Sequence, residues 1–409
     1  MGSPPPGRRA SEEEELLLLL CGTSARRTLN AERIRALARL ISPERFLEVA
    51  VGQRLSALAL HRLGEVCAAG LPPRLAHESS VARERDRPLA LAFEAAGEHV
   101  LDALASAGLP ALALKGAPLA RTLYGDPALR SSADIDVLVR REELSAAIMT
   151  ARTLGYGPPV GPRDRGGLPA LHFVLPHGGG LPILELHWRV HWLEEDFSRR
   201  VLERSMRLGR RLGPRPVDEI AMLLLFFARD GFAGLRLAAD LAACVDRHQG
   251  ELRSPALEPL VAEHPQLRTA WTAAAKTAQV LVGVPAWRLV DGAGSARRAG
   301  LAIRLANWTL SGDLDQAAAN VSVIDGLLTP RGGLRAFVRR DLLPSRSAFA
   351  HDNPVSAHPG HAGVAWLSHP LKRLMRYALA LWSVRRGRRY APLPASLDTG
   401  SGQAASASG

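Results

Sequence analysis

The sequence predicts an α+β protein in which a small mixed sheet is flanked by helical regions on both sides. Three observations point there. Apolar residues recur at helical spacing up to about residue 108, they alternate along short runs between Leu109 and Val190, and helical spacing returns beyond Val217. At 409 residues, with 47% hydrophobic and 22% charged content, the chain is long enough for two or three packed units of ordinary globular composition.

The elements follow in order. Residues Met1 to Ala10 are rich in Pro, Gly and Arg and are expected to be disordered. Ser11 with Glu14 makes a capping-box pattern, so a helix starts there and carries the leucine run Leu16 to Leu20. That run is too short to span a bilayer and lacks the basic start of a signal peptide, so no transmembrane or targeting segment is expected. Helices are expected over Ala31 to Leu40, from Pro43 into Val66 with Ser42 as cap, and over Pro73 to Ala107. The alternating region reads as strand Ala111 to Leu114, helix Ala117 to Tyr124, strand Asp134 to Val139 and helix Glu142 to Leu154. Strand Leu171 to Leu175, a turn at Gly178 to Gly180 and strand Ile183 to Val190 complete it, with helices over one sheet face. Helices then follow at Asp218 to Arg229, Leu235 to His248, Leu257 to Glu263, Leu267 to Val282 and Ser295 to Leu310. A looser stretch, Leu342 to Ser368, leads to a last helix at Pro370 to Arg386, and Ala391 to Gly409 is low-complexity. The expected organisation is a tail at 1–10, an N-terminal helical region at 11–108, an α/β domain at 109–195, a C-terminal helical domain at 196–390 and a tail at 391–409. The last helix presents Leu371, Leu374, Met375, Ala378, Leu379 and Trp382 for docking on the body, with an arginine-rich end.

The formal charge of +12 favours anionic partners such as nucleotides. It is carried almost wholly by arginine and is spread along the chain; the lysines are Lys115, Lys276 and Lys372. With 5% aromatic residues the sequence offers few stacking platforms, which argues against a dedicated RNA-binding protein. Cys21, Cys67 and Cys244 are far apart, so neither a disulfide framework nor a zinc site is indicated, and a reducing, cytoplasmic setting fits.

Chemistry concentrates on two strands. Side chains alternate faces, so Asp134 and Asp136 point one way while Ile135, Val137 and Val139 point into a core. Two adjacent carboxylates repel and raise each other's pKa unless a cation sits between them. Glu185, on the polar face of a second strand with His187 and Arg189, supplies a third carboxylate, although Glu194 and Asp196 are alternatives for that place. Three carboxylates on one sheet suit two magnesium ions engaged in nucleotidyl transfer. Upstream, Lys115-Gly116 stands at a strand-to-helix turn, where glycine lets the backbone approach a phosphate and a helix start offers N–H groups. Arg130, Ser131 and Ser132 lie on the loop before the acidic strand and suit phosphate contacts, with a structural ion pair as the alternative for Arg130. His187 is placed to contact the nucleotide or the acceptor's proton, or else to pack.

The string LALKGAPLARTLYGDPALRSSADIDVLV, the later LELHW strand and the LPSR segment Leu343 to Arg346 resemble the uncharacterised nucleotidyltransferase family of the polymerase-β-like superfamily. The resemblance covers most of residues 11–390 and is most specific between Lys115 and Arg189. It implies a minimal polymerase-β-like sheet, a metal set of Asp134, Asp136 and Glu185, a nucleoside triphosphate substrate, with ATP expected, and an acceptor that is a small molecule, a peptide or protein, or RNA. The chain departs from the wider superfamily in having Lys115-Gly116 for the usual Gly-Gly or Gly-Ser. Gly116 and Asp134 lie 18 positions apart, a gap similar to that of abortive-infection-type toxins. The competing expectation is a non-catalytic protein that holds a nucleotide or peptide in the same cleft. His172 and His177 have the chemistry of metal ligands, but no spacing supports a zinc site and they are expected at the surface; Asp240 and the Arg229-Asp230 pair are expected in helix-surface salt bridges, with the cleft between sheet and helical domain as the alternative.

Overall fold

The computed structural model describes residues 11–385 apart from 68–69, 161–163, 166–167, 170, 193, 209–210, 254, 288, 290–297, 304–322, 330–333, 347–348 and 350–361. Helix α1 (Glu12–Cys21) begins as its sequence dictates: the Glu14 amide donates to Ser11 Oγ, and the Ser11 amide donates back to the Glu14 carboxylate. Glu15 takes a bidentate pair from Arg33, which leaves Leu16 to Leu20 to fill the core. Burying each such leucine stabilises by roughly 2 kcal/mol. Helices α2 (Ser24–Leu29), α3 (Ala31–Leu40), α4 (Pro43–Gly52) and α5 (Ser56–Val66) follow, then the long α6 (Pro73–Ser106).

The helix expected from Pro43 into Val66 is two helices. Arg54 takes φ 56°, a left-handed conformation that ends α4, and the re-aimed chain lets both Phe46 and Leu58 reach one core. Helix α2 was not expected. It is a short, arginine-rich turn without apolar periodicity, capped by Thr23 and tied by the Ser24 amide to Asp246.

The sheet has four strands in the order β1 (Ala111–Ala113), β2 (Asp134–Val139), β4 (Ile183–His187) and β3 (His172–Leu175). Strand β1 runs antiparallel to β2, β2 parallel to β4, and β3 antiparallel to β4, so the sheet is mixed. Helix α7 (Ala117–Tyr124) joins β1 to β2, and α8 (Leu144–Thr153) follows β2. Ile135, Val137 and Val139 of β2 and Leu184 and Leu186 of β4 pack with Val100, Leu101 and Leu104 of α6 and with Ala147 of α8.

The other sheet face is covered too, which corrects the one-sided arrangement. Leu138, Val190, Phe197 and Val201 join the large helical core there, so Val190 leaves the face of Leu184 once the strand ends at His187. Helix α9 (Asp196–Arg204) and the hairpin of β5 (Met206–Leu208) with β6 (Arg211–Gly213) stand where no element was expected. After them come α10 (Pro216–Arg229), α11 (Arg236–Arg247), α12 (Glu258–Glu263) and α13 (Arg268–Val282). Helix α1 packs against α11 and α13, so N-terminal and C-terminal helices share one core.

Of the helix expected at Ser295 to Leu310, residues 298–303 are described and helical; the rest lies outside the described residues. Helix α14 (Leu334–Asp341) precedes α15 (Ala362–Arg385), which starts well before Pro370 and carries that proline internally. Leu371, Leu374 and Met375 are exposed rather than docked; Tyr377 packs on the large core and Arg373 pairs with Asp341. The side chains of Leu379 and Trp382 lie outside the described residues, as do both terminal tails. Among the described residues no helix is long and apolar enough to cross a membrane.

Candidate active site

The parallel register of β2 with β4 sets Asp136 opposite Glu185, and the antiparallel register of β3 sets His172 opposite His187. Paired residues project to the same face, so these side chains converge. Ligand atoms of Asp134, Asp136 and Glu185 lie within 4.8 Å of one another, and so do those of His172, Glu185 and His187. His187 Nε2 stands 2.9 Å from Asp136 Oδ1 and 3.2 Å from Glu185 Oε2. From the other side Lys115 Nζ reaches Asp136 Oδ1 at 3.1 Å. Asp136 Oδ2 is buried without a hydrogen-bond partner.

The Lys115-Gly116 turn is built into this arrangement. The Leu114 amide donates to the Asp136 carbonyl, which locks the end of β1 onto the acidic strand. Gly116 has φ 83°, and a Cβ there would stand 3.2 Å from Ser132 Oγ and 3.5 Å from the Asp134 carbonyl. Glycine is therefore required twice, by conformation and by contact. Ser132 Oγ in turn bonds the Asp134 carbonyl at 3.0 Å and Oδ1 at 3.3 Å, so this hydroxyl positions the first aspartate. Phe93, Gly97, Pro118 and Ile135 line the hollow beside Lys115, Asp134 and Asp136.

The electrostatics are unequal across the pair of aspartates. Burial pushes the Asp134 carboxyl up, and the neighbouring Asp136 charge adds to it. Burial acts on Asp136 in the same direction, but the His187 hydrogen bond and the Lys115 ammonium outweigh it and hold that carboxyl well below the usual range. Glu185 is likewise buried yet lowered, by the His187 hydrogen bond and by His172. Burial and the neighbouring His187 bring His172 down to about 4, which leaves it a neutral imidazole near pH 7. The repulsion expected from the D-x-D spacing thus falls on Asp134 alone.

The remaining expected residues divide. Glu194 is buried but spent, accepting from the Val190 amide and from the Ser198 hydroxyl and amide, and Asp196 pairs with Arg199 and Arg200. Neither joins the cluster, so Glu185 stands alone as its third carboxylate. Arg189 turns to the Trp192 carbonyl and Glu195. Arg130 takes the ion-pair alternative: Nε bonds Asp240 Oδ2 at 2.9 Å, while its Nη2 is buried without a partner. Tyr124 donates to the other Asp240 oxygen at 2.9 Å. Asp240 is fully buried, which corrects the expected helix-surface salt bridge. The Ser131 hydroxyl donates to the Arg54 carbonyl at 3.5 Å, and the Ser131 carbonyl accepts from Arg236 at 3.1 Å.

Sequence reasoning favoured surface roles for His172 and Arg229, and Arg229 does pair with Asp230 at 3.3 Å. His172 was expected at the surface, but it is half-buried and faces Glu185. His177 behaves differently: its Nε2 lies 3.1 Å from the Leu154 carbonyl, away from the acids. Arg229 stacks on Phe226 at 4.8 Å from the ring centroid, and Lys115 Nζ lies 5.8 Å from the same ring. Two cations of α10 and the β1 turn thereby flank one aromatic side chain beside the acidic face. One signal was available for Arg229, a basic residue closing an otherwise apolar helix.

Residues 40–283, more than half of the chain, match the family model described as "Uncharacterised nucleotidyltransferase". No curated protein and no solved structure matches the chain. The matched span contains the Lys115-Gly116 turn, the acidic strand, Glu185 with both histidines, and the α10–α11 wall that faces them. A sheet that gathers three carboxylates beside a glycine turn is what a nucleotidyltransferase requires, and this chain belongs to that uncharacterised nucleotidyltransferase family.

Proposed function

We propose that the protein transfers a nucleoside monophosphate from a nucleoside triphosphate to an acceptor hydroxyl, releasing pyrophosphate, with magnesium held by Asp134, Asp136 and Glu185 on a minimal polymerase-β-like sheet. The observation that carries this reading is the donor set: three carboxylates within 4.8 Å, with the buried Asp136 Oδ2 left unpartnered. An oxygen-only set of that kind fits magnesium, which takes carboxylates together with substrate phosphates and water. Bound divalent ions would neutralise the triphosphate and activate the acceptor oxygen.

The chain's own groups supply the rest. Gly116 and the first turn of α7 present backbone N–H groups to a phosphate, with Pro118 removing one that could not be used. Lys115 and Arg229, on either side of Phe226, place positive charge where a polyphosphate would lie against the acids. Ser132 fixes Asp134, and His187 holds Asp136 and Glu185 in register. Arg130 acts through Asp240, keeping the loop before β2 in place, and Ser131 anchors the same loop to Arg54 and Arg236. In-line attack then needs only the acceptor oxygen held opposite the leaving pyrophosphate.

The test is incubation with magnesium, each α-labelled triphosphate in turn, ATP first, and mixed acceptors drawn from small molecules, peptides and RNA. Pyrophosphate and a labelled acceptor are expected from the native protein and not from Asp136→Ala. Equal release by the variant would remove the assignment.

A further inference from the structure

Glu185 belongs to two groups of donors, the acidic set and a pair of imidazoles. His187 Nε2 is 3.2 Å and His172 Nε2 is 3.7 Å from the same oxygen, Glu185 Oε2. The two rings lie 4.6 Å apart between centroids, tilted by 41°, so both Nε2 atoms converge on one point rather than stacking away from it. We propose that His172, Glu185 and His187 form a mixed nitrogen–oxygen site for a borderline divalent transition metal, best matched by zinc, with Glu185 shared between it and the magnesium set of Asp134, Asp136 and Glu185. This deepens the reading above and rests on it for the neighbouring magnesium position.

Ligand chemistry and geometry favour that assignment. Imidazole nitrogens suit zinc and other later first-row ions, whereas magnesium seeks oxygen and water. Zinc bonds of about 2.0–2.1 Å in tetrahedral array set their ligand atoms roughly 3.4 Å apart. The two observed nitrogen–oxygen separations, 3.2 and 3.7 Å, bracket that edge. A magnesium octahedron with bonds of about 2.1 Å has shorter edges, roughly 2.9 Å. Three protein ligands leave a fourth position open, the pattern of zinc sites that take water or substrate. The ring protons then sit on the Nδ1 atoms, which are buried without a partner, and His187 Nε2 exchanges its hydrogen bond to Asp136 Oδ1 for the metal. His172 lies on the sheet's edge strand, where it completes a site already two-thirds formed by β4.

Glu219, Cys244 and His248 are a second group with zinc-compatible donors, so the experiment must separate the two. The metal-stripped full-length protein is titrated calorimetrically with zinc chloride, without nucleotide, and with cobalt chloride while visible absorption is followed. One stoichiometric site with the absorption of four-coordinate cobalt is expected. His172→Gln, a change on the edge strand that keeps a polar side chain, should weaken zinc at least about 100-fold, beyond what loss of a group that merely orients a ligand does. Asp134→Asn and Cys244→Ala should leave it within about threefold. No stoichiometric zinc, equal affinity in His172→Gln, or loss in Cys244→Ala instead would overturn the site. Zinc bound through His172 with no pyrophosphate release would keep this site and remove the transfer reading. Magnesium-supported release without any zinc binding would do the reverse.

Discussion

Asp136 and Asp240 are both buried carboxylates, and the two are provisioned differently. Each Asp240 oxygen has one donor, Tyr124 on Oδ1 and Arg130 on Oδ2, and no second acid lies in the group. Asp136 crowds Lys115 and His187 onto Oδ1, leaves Oδ2 unpartnered, and has Asp134 and Glu185 as neighbours. One cluster is balanced within itself, while the other carries more negative charge than its partners neutralise. A buried charge is tolerated when paired and hydrogen-bonded, so the first needs nothing further. On the proposed reading the second is completed by the bound metal ions, which is how a binding site differs from a structural ion pair.

The largest contrast is in what each loss removes. Asp136→Asn keeps shape but removes the charge, and pyrophosphate release should fall by roughly a thousand-fold, since charge held at a metal centre supplies several kcal/mol. Its thermal midpoint should fall as well, because a carboxyl held below its ordinary range stabilises the fold when ionised. Asp240→Ala should act through stability alone, costing about 3–5 kcal/mol in denaturant unfolding because Arg130 is left buried and uncompensated. Replacing both partners, Arg130→Met with Asp240→Leu, should recover most of that stability. If the double variant folds but fails to bind triphosphate, Arg130 belongs to the active site after all and the contrast breaks.

How far the sequence reached depended on the range of the signal. The D-x-D alternation, the Lys115-Gly116 turn and the placement of Glu185 on a polar strand face are local patterns, and each survives in the structure with its side chains on the expected side. His172 carries no such pattern. It becomes a site residue only through the antiparallel register that sets it opposite His187, and nothing in a four-residue strand announces its partner. Asp240 misled for a related reason: a helical position does not announce its partner, which is Arg130, 110 residues away. The break between α4 and α5 lacks proline and follows from the need to aim two helices at one core. Helix α9 carried a legible helical pattern in Phe197, Val201 and Leu202 that the sequence reading left unused, whereas the following hairpin is short and its first strand exposed.

The glycine turn gives a smaller, sharper test of the acidic side. Gly116→Ala adds a Cβ at φ 83° and 3.2 Å from Ser132 Oγ. The left-handed conformation alone should cost about 1–2 kcal/mol. Because Ser132 positions Asp134, activity should drop further than the unfolded fraction explains. A variant with reduced stability but unchanged turnover per folded molecule would show that the turn serves only the fold.

The smallest expected effect separates the two clusters most cleanly, because its sign reverses between them. Asp134 has its carboxyl raised by burial and by the Asp136 charge, so its ionised form disfavours folding. That penalty is absent below the ordinary aspartate value of 3.8 and grows as pH rises through the raised folded value. Asp134→Asn, measured with chelator present, should therefore stabilise the protein by about 1 kcal/mol at neutral pH and by nothing in acid. Neutralising Asp240 in the same way, by Asp240→Asn, should destabilise, since it removes the only charge answering Arg130 in that cluster. Stabilisation by loss of an acid is the mark of a group kept for what it binds. If Asp134→Asn proves destabilising at pH 7, the surplus of negative charge is already answered inside the fold and the acidic face is a structural cluster like the other.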